Sequence, residues 1–161
     1  MVEKLRSIWM DGKLVPWDDA KIHVLTHSFH YGVAAFEGIR SYKTADGRSA
    51  VFRLEEHVER LFDSSKIVTL DLPYSIEDVS KACKEVLIDN GLQEGYLRPV
   101  SYIGEGVMGV HPGNNPIQLM IAAWKWGAYL GEDALSKGIR AKVSSYNRYH
   151  PNSMMTRAKL T

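Results

Sequence analysis

The chain has 161 residues, 45% of them hydrophobic and 24% charged, which suits one ordinary globular domain with a sizeable core. Its formal net charge of +1 excludes the strongly basic and acidic classes, so neither nucleic acid nor an anionic membrane surface is an expected partner. Cys83 is the single cysteine and cannot form an internal disulfide, and no apolar signal core follows the first residues, so we expect a cytoplasmic protein without a membrane span.

Two β-hairpins are predicted in the first third of the chain. The first covers 5–16 around Asp11-Gly12, a pair that favours the positive φ values of a type I′ turn. The second leads from a strand over 35–42 through Asp46-Gly47 to a short return strand at 50–52.

Two amphipathic helices are predicted next. The repeat of Val58, Leu61, Phe62 and Ser65 at i, i+3, i+4 and i+7 predicts the first helix over 54–66. Ser75 and Asp78 form a capping box that starts the second helix, and Asn90-Gly91 ends it. Cys83 lies on the apolar face of that helix, so we interpret it as a packing residue rather than a reactive thiol.

The last third contains predicted strands near 95–103 and 117–125. The following segment, 126–137, has no strand period and is predicted to be a linker between domains. One more strand is predicted near 138–143. The chain therefore has a predicted α/β domain over 1–125, this linker, and the start of a second domain over 138–161.

Two motifs are compatible with ligand sites but favour simpler interpretations. Gly104 to Gly109 matches G-x-G-x-x-G, but the residues up to Pro116 cannot open the helix that a dinucleotide fingerprint needs, so a mobile glycine-rich loop is favoured. His23, His27 and His30 could align on one helix face. No HExxH-type acid accompanies them, so structural histidines are favoured and no metal site is predicted.

Three basic residues cannot be assigned from pattern alone. Arg60 points away from the apolar face of its helix, beside Glu56, which favours an exposed ion pair, although a residue reaching a ligand between domains must point the same way. Arg98 lies inside an apolar strand, where it needs either a structural carboxylate or a ligand anion. Lys159 alone would be read as a solvated lysine near the end of the chain.

Five segments in order carry a family resemblance: 30–40, 57–61, 97–110, 124–131 and 151–159. They resemble the branched-chain amino-acid aminotransferases, which are pyridoxal 5'-phosphate (PLP) enzymes of fold type IV. The resemblance covers essentially the whole chain. It implies an α/β (α+β) fold comprising the small N-terminal domain of that fold, the linker and the first strand of the large domain.

The resemblance implies amino transfer between leucine, isoleucine or valine and 2-oxoglutarate, giving branched 2-oxo acids and glutamate. It also implies PLP as cofactor and a homodimer or higher homo-oligomer whose pocket is shared between subunits. In this family the residues after the lysine supply a Tyr, a Glu and a phosphate cup, so the piece is expected to be incomplete. We expect Lys159 to be loosely held, with little activity in this piece alone.

The same resemblance assigns roles residue by residue. Lys159 is expected to form the Schiff base with PLP, and Arg60 to contact its phosphate. The remaining roles concern the substrate: a side-chain pocket, the substrate carboxylates, and reach into the neighbouring subunit. The side-chain pocket is expected to be lined by Tyr31, Phe36, Gly38, Trp126 and Tyr129. Tyr96 and Arg98 are expected to stand near the substrate carboxylates. Val110 and Tyr31 are expected to reach the pocket of the neighbouring subunit.

Other functions stay open at this point. A D-amino-acid transaminase or an aminodeoxychorismate lyase shares the fold, the lysine and the phosphate-binding arginine. These enzymes generally lack the patterns at 36–40 and 126–129. A non-catalytic truncated domain kept for assembly is an alternative of a different class.

Overall fold

The computed structural model describes residues 2–127 and 133–161, without the side chain of Leu135. Over these ranges the chain forms one antiparallel sheet in the order β2-β1-β7-β6-β4-β5, with β3 also paired to β6. The strands are β1 (Ser7–Met10), β2 (Lys13–Pro16), β3 (Ala34–Phe36), β4 (Ile39–Lys43), β5 (Ser49–Val51), β6 (Gly95–Ile103) and β7 (Ile117–Trp124). The helices are α1 (His27–Tyr31), α2 (Leu54–Ile67), α3 (Ile76–Asp89) and α4 (Ala134–Lys137).

The first predicted hairpin is confirmed as β1 and β2. Its two turn residues, Asp11 and Gly12, have φ values of +47° and +96°, so both adopt the left-handed conformation that a type I′ turn requires. Hydrogen bonds to β7 then attach the hairpin to the rest of the sheet, through the backbone and side chain of Asp11.

The second predicted hairpin is confirmed at its turn, but the strand predicted over 35–42 is interrupted. It forms two pieces, β3 and β4, which pair with β6 in one register: Phe36 lies opposite Val100 and Ile39 opposite Leu97. The interruption falls beside Pro99, which has no N–H to donate to a ladder. The register places Gly38 across from Arg98 at this break.

The two long helices are confirmed and cover one face of the sheet. α2 and α3 pack on each other and on the sheet, and the Ser75–Asp78 capping box is present. Cys83 is fully buried between these layers, which confirms the packing interpretation, and burial raises the pKa of its thiol to about 12. Besides Cys83, the core consists mainly of Trp9, Ile39, Val58, Leu61, Val79, Val86, Leu87, Leu97, Leu119 and Ile121.

The opposite face of the sheet is only partly covered by the described chain. Along β6 and β7 the residues alternate between fully buried and partly exposed, as expected when one face packs on helices and the other does not. Ile121 points into the core, whereas Arg98 and Trp124 lie on the partly exposed face. Among the described residues, no helix is both long and apolar enough to cross a bilayer.

The strand predicted near 138–143 is not formed. These residues are exposed and have no strand hydrogen bonds; the Val143 side chain is 92% exposed. The physical reason is that a strand is stable only within a ladder, and no described segment lies beside this one. Part of the predicted linker forms the short helix α4, and the division of the chain into domains stays a prediction.

Candidate active site

Several of the predicted site residues meet at the break between β3 and β4. The ring of Phe36 lies at the centre: the Lys159 Nζ is 4.5 Å from the ring centroid, and the Arg98 Cζ is 4.8 Å from it. Strand alternation puts Phe36, Gly38 and Arg98 on the partly exposed face of the sheet. The structure therefore brings an amine and a guanidinium together around one aromatic ring.

Lys159 is held firmly, contrary to the expectation that it would be loose. Its backbone N–H donates to the Ser64 Oγ at 3.0 Å, and its carbonyl accepts from the Phe36 N–H at 3.1 Å. Leu160 forms a bridge with Ala35, so the lysine segment adds to the free edge of β3. The reason is that β3 offers unpaired backbone groups, which an extended segment can satisfy.

Arg98 has no carboxylate partner among the described residues, so the structural ion pair left open by the sequence is not found. Its Nη2 donates to the Tyr96 hydroxyl at 3.0 Å, and its guanidinium lies near the rings of Phe36, Tyr96 and Trp124. The Nε is buried without a hydrogen-bond partner in this part of the chain. A cation held by aromatic rings with an unmet donor suits an incoming anion.

Gly38 is required by the position of Tyr96. A Cβ built on Gly38 would lie 1.9 Å from the Tyr96 Oη, so any side chain there would displace the tyrosine. The Tyr96 ring in turn packs on Trp124 and Trp126, with centroids 5.0 and 4.4 Å away. Trp124 is a wall residue that the sequence did not single out, although its position opposite Tyr96 in the strand register is a usable signal.

The wall continues through Trp126. The Arg40 guanidinium donates to the backbone carbonyl of Trp126 at 3.3 Å and to that of Gly127 at 3.5 Å, fixing the chain where it leaves β7. Tyr129, which was predicted to complete this wall, lies outside the described residues.

Arg60 has a different partner from the one its pattern favoured. Glu56 pairs with Arg53, with a distance of 2.8 Å between Nε and Oε1. Arg60 instead donates through Nε and Nη2 to the two carboxylate oxygens of Glu37, the second bond being 2.8 Å long. Helical periodicity alone could not find this pairing because Glu37 is distant in sequence. The predicted role of Arg60 at a phosphate stays a prediction.

Glu37 is the buried acid that the sequence reading missed. Its side chain is 0% exposed and also accepts a hydrogen bond from the His57 Nδ1 at 2.9 Å. Burial on its own raises the pKa of Glu37, but the hydrogen bonds from Arg60 and His57 and the charge of Arg60 outweigh it, so the pKa lies below its usual value. The available signal was alternation: Ala35, Glu37 and Ile39 share the buried face, and an acid in such a row needs partners.

The glycine-rich loop and α1 form a separate cluster. The Tyr31 hydroxyl donates to the Met108 carbonyl at 2.8 Å, and the His27 Nε2 lies 2.8 Å from the Gly109 carbonyl oxygen. No helix begins within 104–116, which confirms that this loop does not open the helix that a dinucleotide fingerprint needs. Val110 is 83% exposed, and no hydrogen bond among the described residues joins it or Tyr31 to the Phe36 cluster.

The histidines have structural contacts in the described chain. The His30 Nε2 lies 2.7 Å from the Val24 carbonyl oxygen, and His27 is buried against the ring of Tyr31. His23 lies 3.2 Å from the Glu105 carboxylate at the surface. Phe29, next to His30 on α1, is 73% exposed, so α1 is buried only at His27.

Comparison with known proteins decides the family. Residues 34–161 match the family described as amino-transferase class IV. The chain belongs to this family. The class IV aminotransferase fold agrees with the α/β fold expected from the sequence, and the matched region includes every element that contributes to the Phe36 cluster.

The similar proteins are branched-chain aminotransferases. The chain is 45% identical to the branched-chain-amino-acid aminotransferase of Pseudomonas aeruginosa and 46% identical to that of Escherichia coli K12, covering 99% and 98% of this chain. The crystal structure of the E. coli enzyme aligns with a TM-score of 0.94 at 45% identity, over 98% of this chain and 52% of that one. A second crystal structure, of a branched-chain aminotransferase with pyridoxamine 5'-phosphate, aligns at 0.90 and 46% identity, with the same coverage.

The chain spans about half the length of the curated relatives it matches: 52% of the P. aeruginosa protein and 51% of the E. coli protein. The family is therefore established for this chain, whereas the reaction of the whole protein has to be argued from its residues.

Proposed function

We propose that the protein transfers the amino group between branched-chain L-amino acids and 2-oxoglutarate, with PLP as cofactor. The observation that carries this proposal is the placement of the Lys159 amine and the under-paired Arg98 guanidinium around the Phe36 ring. An amine that can hold a carbonyl cofactor and a cation that can hold a carboxylate are the two groups that amino transfer needs.

The residues present fit PLP at both of its ends. Lys159 would hold the cofactor covalently, and Arg60 would bind its phosphate. These residues are linked through α2, because Ser64, which accepts the Lys159 N–H, lies one helical turn from Arg60. The similar structure that contains pyridoxamine 5'-phosphate supports the same assignment here. When bound, the cofactor supplies the electron-withdrawing ring that stabilises negative charge on the substrate α-carbon.

Lys159 is also the proposed proton carrier. An amine that moves a proton must be neutral while it acts and must sit within hydrogen-bond reach of the reacting carbon. Its backbone is fixed by β3 on one side and by Ser64 on the other, so only the side chain is free to move. This arrangement would keep the Lys159 amine within reach of the substrate α-carbon.

Substrate recognition is assigned to the partly exposed face of the sheet. Phe36, Tyr96 and Trp126 form an apolar aromatic wall suited to leucine, isoleucine and valine side chains, with Gly38 leaving room for Tyr96. The same pocket must accept the second carboxylate of glutamate. Arg98, assisted by the Tyr96 hydroxyl, supplies the positive charge for it.

We further infer a homodimer or larger assembly in a reducing, cytoplasmic setting. Tyr31 and Val110 lie on the α1 and glycine-rich-loop surface, and their exposure fits a role at the pocket of a neighbouring subunit. The inference about compartment rests on the single buried cysteine.

The test is a comparison of amino donors with the full-length protein. L-leucine with 2-oxoglutarate should give glutamate and a branched 2-oxo acid, and Lys159→Ala should abolish the reaction. Lys125→Ala is the matched control, because Lys125 pairs with Glu3 at the surface and its loss should leave the rate unchanged.

Preference for D-alanine would indicate the D-amino-acid transaminase, and pyruvate release from aminodeoxychorismate would indicate the lyase. Absence of all three would favour a non-catalytic domain.

A further inference from the structure

We propose that Glu37 is a positioning residue that fixes the Arg60 guanidinium toward the cofactor phosphate. This inference rests on the proposed function. Glu37 itself points to the helix-covered face of the sheet and is fully buried, so it touches neither cofactor nor substrate. It acts through the arginine that it binds.

The geometry of the pair leaves one edge of Arg60 available. Glu37 takes the Nε and one terminal nitrogen, Nη2, in a side-on arrangement that fixes the plane of the guanidinium. In the described part of the chain no hydrogen bond involves Nη1, and the Arg60 side chain is 51% exposed. An arginine held along one edge and open along the other is arranged for a second anion.

The burial of Glu37 calls for such a role. A carboxylate taken fully out of water loses its hydration, and pairing it with a half-exposed cation recovers only part of that loss. Apolar residues occupy the equivalent inward positions on both sides, at Ala35 and Ile39. Because the ion pair is close to neutral overall, Glu37 reduces the attraction of Arg60 for phosphate while fixing its direction. The contribution of Glu37 is therefore orientation.

The backbone around Glu37 links both ends of the cofactor site. The preceding residue, Phe36, donates its N–H to the Lys159 carbonyl, and the Glu37 N–H donates to the Pro99 carbonyl at 3.0 Å. The acid that positions Arg60 thus directly follows β3, the strand that positions the lysine. A long arginine side chain has many rotamers. The link through Phe36 and Glu37 fixes the distance between the Arg60 guanidinium and Lys159.

His57 completes the arrangement. Since a carboxylate can only accept, the His57 Nδ1 must carry the hydrogen in its 2.9 Å contact with the Glu37 Oε2. The Glu37 carboxylate is therefore bound from two positions of α2, three residues apart, and cannot rotate without breaking one of the contacts.

The experiment compares PLP with pyridoxal, which lacks the phosphate, as ligands of the full-length protein. Affinities are measured from the absorbance of the lysine adduct, without any turnover. Glu37→Gln should lower the preference for PLP over pyridoxal roughly tenfold, because a charge-assisted contact to phosphate is misdirected. Pyridoxal affinity should change less than about twofold. In the Arg60→Ala background the same substitution should have no further effect.

Glu56→Gln is the matched control, because it removes the exposed Arg53 pair from the same helix without touching Arg60. It should leave the PLP preference unchanged. If Glu37→Gln protein does not fold, Glu37→Asp keeps the charge on a shorter side chain and should lower the preference in the same direction.

Four results would overturn the proposal. An equal loss of both ligands in Glu37→Gln, or an unchanged preference in a folded variant, would make Glu37 merely structural. A further loss in the Arg60→Ala background would show that Glu37 acts independently of Arg60. Equal affinity of the wild-type protein for pyridoxal and for PLP would refute the role of Arg60. A wild-type protein that forms neither adduct would refute the proposed function itself.

Discussion

Each face of the sheet carries a charged residue in a largely apolar setting, and the two residues differ in their partners. Glu37, on the helix-covered face, is fully buried and accepts hydrogen bonds from Arg60 and His57. Arg98, on the partly exposed face, has aromatic neighbours, a hydroxyl partner and a buried Nε without a partner in the described chain. The paired acid belongs to the protein's own framework. We propose that the under-paired cation binds an anion of the substrate.

The largest expected effect concerns what covers the partly exposed face. The 161-residue chain alone should show little or no amino transfer, because residues 138–157 are exposed and provide no wall opposite Phe36. Proximity and orientation of the reacting groups can lower the reaction barrier by about 7–11 kcal/mol, and this contribution would be lost. The assay is leucine with 2-oxoglutarate and added PLP, on protein whose mass matches 18.2 kDa. Turnover near 1–10³ per second, roughly that of ordinary enzymes, would refute this view of the face.

Replacing Arg98 separates its function from stability. Arg98→Met should lower kcat/KM for 2-oxoglutarate by roughly 10²–10³, since a charged contact to its second carboxylate is worth about 3–4 kcal/mol in a water-excluded site. The unfolding free energy should stay the same or rise, because an under-paired cation is exchanged for an apolar side chain. Urea unfolding beside steady-state kinetics measures both. A clear loss of stability would show that Arg98 is structural.

Replacing Glu37 should have the opposite effect on stability. Glu37→Gln should destabilise the protein by less than the roughly 3–5 kcal/mol found for fully buried pairs, because Arg60 keeps access to water. Urea unfolding at neutral pH measures this loss, and a variant as stable as the wild type would contradict the expectation.

Low pH should also destabilise the wild-type protein, by protonating Glu37. The pKa of Glu37 in the folded protein lies below its ordinary value of 4.5, so the pair stabilises fully above that pH. The stabilisation is lost as pH falls through the lowered pKa. Between about pH 7 and pH 3, the free energy of unfolding should fall less steeply with decreasing pH in Glu37→Gln than in the wild type. Identical slopes would contradict the assignment.

Gly38→Ala tests the packing of Gly38 against Tyr96, between Glu37 and Arg98. The new Cβ would fall 1.9 Å from the Tyr96 Oη, and overpacking of this kind costs about 1–3 kcal/mol. Tyr96→Phe in the same background should recover part of the loss in unfolding free energy, because it removes the closest atom. Equal stability of Gly38→Ala and wild type would show that Tyr96 does not need the glycine.

The elements of the covered face were predictable because their signals are local. The apolar periods of α2 and α3, the Ser75 cap and the Asp11-Gly12 turn each lie within a short stretch, and each is confirmed. The family resemblance also identified residues of the partly exposed face that the structure brings together, namely Phe36, Gly38, Tyr96, Arg98 and Lys159.

The failures involve long-range pairing. The partner of Arg60 is 23 residues away, in the break between β3 and β4, so periodicity favoured its helical neighbour Glu56 instead. The strand over 138–143 was predicted from its composition, yet a strand also needs a neighbour. The attachment of Lys159 to β3 depends on a free strand edge, which the residues around the lysine do not reveal.

Borohydride trapping shows which lysine holds the cofactor, and so tests the assignment of Lys159. The full-length protein is incubated with PLP, reduced, digested and analysed by mass spectrometry. If Lys159 is the cofactor lysine, one reduced pyridoxyl adduct should form, on the peptide that contains Lys159, and none should form in Lys159→Ala. An adduct confined to another lysine, or an adduct retained in Lys159→Ala, would contradict it.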